Sequence, residues 1–94
     1  MKIALSTYQT FSEQDYGPWL DRLTLFVANG GYYLLEEFGY SKPYDSNWYV
    51  LDAKPKKTLE EAFAGGSGGW CGSGDTKVLE YALGVSLAKC TGPC

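Results

Sequence analysis

Arg22-Leu-Thr-Leu-Phe-Val-Ala-Asn-Gly-Gly-Tyr-Tyr-Leu-Leu-Glu-Glu-Phe38 is the stretch whose reading decides the fold. Asn29-Gly30 supplies the positive φ angles that a two-residue β-turn demands, and apolar runs flank it on both sides, so the segment predicts a hairpin. A helix is the rival reading over 18–28. Pro18 suits a first helical position, Trp19, Leu20, Leu23, Phe26 and Val27 recur at helical spacing, and Asn29-Gly30 suits a C-terminal cap.

Outward on the N-terminal side, residues 3–11 place Ile3, Leu5, Thr7 and Phe11 on one parity and Ala4, Ser6, Tyr8 and Thr10 on the other. That alternation predicts a half-buried strand, with Ser12 to Pro18 as a loop. On the C-terminal side, Gly39 to Asn47 is rich in turn formers, and Trp48-Tyr49-Val50-Leu51 predicts a third or fourth strand. Thr58-Leu59-Glu60-Glu61 has the spacing of a capping box, with Gly65 placed to stop a short helix after Ala64. A second helix is expected from about Thr76 to Lys89, with Asp75 as its N-cap and Val78, Leu79, Ala82, Leu83, Val85 and Leu87 as its apolar stripe. The expected fold is α+β: a single domain over 1–94, with an antiparallel sheet of three or four strands and two helices packed on one face.

Composition narrows the chemistry. The chain has 94 residues, 45% of them apolar, and 8 Lys+Arg against 11 Asp+Glu for a net charge of -3. No apolar run predicts a membrane span, and the N-terminus lacks the apolar core of a secretory signal, so a cytoplasmic protein is expected. There is no histidine. This removes the usual neutral-pH base, imidazole metal sites and Ser-His or Cys-His nucleophile pairs. Cys71, Cys90 and Cys94 are too few for a disulfide scaffold and incomplete as a structural zinc site. No metal or cofactor, and no enzymatic activity, is expected.

The remaining motifs carry less than they promise. Gly65-Gly-Ser-Gly-Gly-Trp-Cys-Gly-Ser-Gly74 can offer free amides to an anion, yet it matches neither phosphate-loop fingerprint and reads as a connector. Trp70-Cys71-Gly72 is similar to the opening of a thioredoxin-type site, but Gly74 stands where the second cysteine belongs. Cys90-Thr91-Gly92-Pro93-Cys94 is no prenylation box, which would need cysteine at position 91. Glu36-Glu37 and Glu60-Glu61 cannot flank a scissile bond, because neighbours on a strand or helix diverge. Lys54, Lys56 and Lys57 are the one cationic cluster, too small to bind nucleic acid, and read as a solvated face.

Aromatic content is the unusual feature: three Trp, eight Tyr and four Phe in 94 residues. A core this small cannot hold them all, and on strands Tyr32-Tyr33 and Trp48-Tyr49 must each send one ring outward. Exposed Tyr and Trp make effective protein anchors. With the acidic set Glu13, Asp15, Asp21, Glu36 and Glu37 nearby, the expected partner is a larger protein with a basic surface, not nucleic acid or a membrane. The expected contact residues are Tyr32, Tyr33, Glu36, Glu37, Tyr40, Tyr44, Trp48 and Tyr49. In bulk properties the chain resembles small acidic inhibitors encoded by phages and mobile elements, anti-CRISPR proteins and DNA mimics among them. That resemblance implies a protein that works by occluding its partner. The alternative is a small-ligand or carbohydrate-binding module that stacks its ligand on the same rings.

Overall fold

The computed structural model describes residues 3–14, 17–28, 30–62 and 76–92, with the side chains of 3, 8–14, 17–19, 21, 76 and 78 outside that description. It contains five strands and two short helices: β1 (Ile3–Gln14), β2 (Gly17–Ala28), β3 (Gly31–Gly39), β4 (Asp45–Leu51), α1 (Leu59–Ala62), α2 (Thr76–Leu83) and β5 (Leu87–Cys90). The strands form one antiparallel sheet in the order β1-β2-β3-β4-β5, each beside its neighbour in sequence.

The α+β class holds, but the sheet has five strands where three or four were expected. Residues 18–28 are strand, which overturns the helix reading. Ala28 pairs with Gly31 across the turn, and Gly30 takes φ +75°, the conformation that Asn-Gly favours. The expected loop from Ser12 to Pro18 shrinks, because β1 runs to Gln14 and β2 starts at Gly17. Pairing with β2 overrides the weak strand propensity of Ser12, Glu13 and Gln14. Likewise β4 begins at Asp45 rather than after Asn47, leaving residues 40–44 as the β3–β4 loop.

The parity expected of β1 also breaks. Ala4 faces Phe26 and Ser6 faces Leu25, so Leu5 is an extra residue in a β-bulge. The register therefore sets Ile3 opposite Val27 and Thr7 opposite Thr24.

The capping box forms as expected. The Thr58 amide donates to Glu61 Oε1 at 2.9 Å, and the Glu61 amide donates to Thr58 Oγ1 at 3.1 Å. Among the described residues α1 ends at Ala62; Gly65 and the Asp75 cap lie outside them. The second helix is shorter than expected. It stops at Leu83 because Gly84, at φ +71°, adopts the left-handed conformation of a C-terminal cap and donates its amide to the Glu80 carbonyl at 2.8 Å. Val85 and Leu87, expected on the helical stripe, lie beyond it, and Leu87 opens β5.

Alternation gives the sheet a core face. Leu23, Leu25, Leu34, Tyr49 and Leu51 form one buried cluster with Leu59 of α1, Leu79 and Leu83 of α2, and Val85. The backbone amide of Leu59 donates to Ser6 Oγ at 3.2 Å, tying α1 to β1.

Candidate functional site

The second face of the sheet, turned away from the buried cluster, carries Phe26, Tyr33 and Trp48 in two cross-strand rows. Directly paired positions give the first row as Ala4–Phe26–Tyr33–Val50–Ala88 and the second as Thr7–Thr24–Leu35–Trp48–Cys90. Side chains opposite one another in antiparallel strands stand on the same face and touch. Phe26 and Trp48, on β2 and β4, meet across the intervening β3, with ring centroids 5.5 Å apart and planes tilted by 41°. Phe26, Tyr33, Leu35, Trp48 and Val50 are each half-buried, so an apolar strip spans β2, β3 and β4 and stays partly open.

The next row holds an ion pair. Arg22 stands opposite Glu37, and its Nε donates to Glu37 Oε1 at 2.8 Å, with 33% and 22% of the two side chains exposed. The hydrogen bond to Glu37 raises the Arg22 pKa further; burial opposes this, and the charge of Glu37 and then Tyr44 add to it. Tyr44 is placed here because its ring caps Gly39: a methyl group built on Gly39 would lie 3.4 Å from Tyr44 Cδ1. Trp48 is covered in the same way at the other end, with Cδ1, Nε1 and Cε2 each 3.4 Å from a methyl group built on Gly92.

Of the eight expected contact residues, the structure brings four together on or over this face: Tyr33, Glu37, Tyr44 and Trp48. Tyr40 lies in the β3–β4 loop, 54% exposed. The other three point inward. Tyr32 packs against the core cluster, Tyr49 belongs to it, and Glu36 is fully buried. Glu36 Oε1 accepts from Asn47 Nδ2 at 3.0 Å and from the Tyr49 hydroxyl at 3.4 Å. Burial, and then the neighbouring Glu36, raise the pKa of Tyr49. Glu36 is therefore a core residue, not part of an acidic rim. Asp15, the glycine-rich run at 65–74 and Cys71 lie outside the described residues.

Sequence reasoning missed Phe26, Leu35, Val50 and Arg22. The signal was present, since once Asn29-Gly30 fixes the hairpin register, alternation alone places Phe26 beside Tyr33 and Arg22 beside Glu37. Among the described residues, no three His, Cys, Asp or Glu side chains converge as a metal site, and no helix is long and apolar enough to cross a membrane. No protein-family model, curated protein or solved structure matches the chain.

Proposed function

We propose that this chain is a non-enzymatic protein-binding domain that docks through the second face of its sheet and covers a basic functional surface of a larger partner, in the manner of an inhibitor. The observation that carries this reading is the half-exposed strip Phe26–Tyr33–Val50 with Leu35 and Trp48. Both helices contribute their apolar side chains to the opposite face, so we read them as its cover, with the second face left for the partner.

Strands about 4.8 Å apart give a five-stranded face a width of about 20 Å, a patch of a few hundred square ångströms. A stable complex needs about 800 Å² from each partner, so the exposed loop around Tyr40 belongs to the docking surface as well. The net charge of -3 favours a basic partner and accelerates encounter. Carbohydrate stacking has less support, because Gly92 and Phe26 lie against the Trp48 ring that a sugar would need.

The test compares capture of a partner from host lysate by the native chain, by Tyr33→Ala/Tyr40→Ala, and by Tyr81→Ala, with folding of each verified by circular dichroism. Tyr81 on α2 is 92% exposed and serves as the surface control. The double variant is expected to lose about thirtyfold in affinity, as anchor residues do, while the control keeps it. Association with the captured partner should slow as salt rises. Full capture by the folded double variant, or an association rate indifferent to salt, overturns the reading.

A further inference from the structure

We infer that the recess between the β1 bulge and the segment preceding α1 binds small organic anions, a carboxylate, sulfonate or phosphate head on a short apolar body. The recess holds about 310 Å³; Leu5, Pro55 and the buried Leu25 give it an apolar lining, which the exposed Lys54, Lys56 and Lys57 share. That volume is at the lower end for small-molecule sites, which pair apolar linings with a few placed polar groups.

Three features make this more than a solvated lysine run. The first is the bulge, since inserting Leu5 between the Ala4–Phe26 and Ser6–Leu25 pairs turns an apolar side chain into the mouth of the recess, where it is 45% exposed. Bulges commonly re-aim side chains beside functional sites.

The second is rigidity. The lysine segment is pinned on both sides: the Asp52 amide donates to the Ser86 carbonyl, the Ser86 amide donates to Asp52 Oδ1, the Lys56 amide donates to the Leu83 carbonyl, and the capping box and Ser6 hold the adjoining start of α1. A site held in place binds without the cost of ordering a loop.

The third is charge. Three lysines outweigh the one carboxylate on the lining, Glu61, which the Thr58 amide and then the charge of Lys57 hold ionised, its pKa below the ordinary 4.5, so the recess keeps a positive balance. The stem of Lys56 runs over Gly84, its Cδ 2.9 Å from where a glycine methyl would sit, so Lys54 and Lys57 are left to meet the head group. The recess opens on the side of the sheet that carries the helices, so its occupancy is independent of docking on the second face.

Octanoate is the probe, added at up to millimolar concentration to isotopically labelled protein and followed by amide chemical shifts. Saturable shifts are expected at Leu5, Ser6, Lys54 and Lys56–Thr58, with the second face unmoved. Lys54→Ala/Lys57→Ala should weaken binding about tenfold, the size of two exposed charge contacts. Lys56→Ala should weaken it far less, and Leu5→Glu should abolish it with the fold intact by circular dichroism. Octanol, lacking the charge, and inorganic phosphate, lacking the apolar body, should each bind at least about tenfold more weakly. Equal binding of octanol, equal losses from all three lysines, shifts confined to the second face, or no saturable shift at all overturns the inference.

Discussion

Truncating Glu36 to alanine removes a fully buried acceptor from the middle of the sheet, and the structure sets the size of the loss. The Cγ methylene contributes about 0.8 kcal/mol of burial. The Tyr49 hydroxyl, on a buried ring, is left without this acceptor, which costs about 1–3 kcal/mol, nearer the lower end because its bond to Glu36 is long at 3.4 Å. Asn47 is only half-buried, so water takes over part of its 3.0 Å bond and the loss there is about 0.5–1.5 kcal/mol. Together Glu36→Ala should cost about 2–4 kcal/mol, a large share of the roughly 5–14 kcal/mol available to a domain of this length. Glu36→Gln keeps the shape and the Oε1 acceptor and should cost about 1 kcal/mol or less. Glu36→Leu combined with Tyr49→Phe should recover much of the loss, because removing donor and acceptor together strands neither. Urea unfolding followed by tryptophan fluorescence and circular dichroism measures each. A Glu36→Ala loss below about 1 kcal/mol at unchanged denaturant slope would refute the burial and bonding assigned to this carboxyl.

Gly84→Ala should destabilise by about 1–2 kcal/mol, the cost of a side chain in the left-handed region; the flexible Lys56 stem can swing aside, so Lys56→Ala should restore little of it in thermal or urea unfolding. The raised pKa of Tyr49 favours its protonated form in the folded state, so its contribution is complete below pH 10 and is lost as pH climbs through the raised value. Stability followed with phenolate absorbance should show this alkaline loss in the native chain, and Tyr49→Phe should lack it. Thr58→Ala should cost about 1 kcal/mol through the lost cap. Because the Thr58 amide remains, the same substitution should move the Glu61 pKa, held below 4.5 and therefore stabilising above that pH, only part of the way back up in an NMR titration, by the share the lost hydroxyl supplied.

What could be read from the residues followed local physics. Asn29-Gly30 and the alternation around it located the central hairpin, and Thr58 with Glu61 located the start of α1, because both signals act within a few residues. The end of α2 was misread because Val85 and Leu87 satisfy a helical stripe and a strand parity equally, and only the φ of Gly84 separates them. β5 has four residues and no turn signal of its own, so its existence depends on the Trp48–Leu51 edge that it pairs with. On the candidate face, the reasoning that sent one ring of each adjacent pair inward applies equally to Glu36. It shares the parity of Leu34, and Asn47 stands directly opposite. Treating Glu36 and Glu37 as one acidic pair concealed that one lies in the core and the other bonds to Arg22. The bulge at Leu5 left no mark in the alternation, since an inserted residue becomes visible only when the partner strand is laid beside it.

The unbroken strand order has a consequence for how the chain assembles. Each strand meets the one made just before it, so β1 to β4 can zip up through closures of a few residues, each with a small entropic penalty. The contact between Leu59 and Ser6, 53 residues apart in sequence, is of another kind. It must wait for the meander to exist, so the recess bounded by Leu5 and Pro55 should be among the last parts of the molecule to take shape.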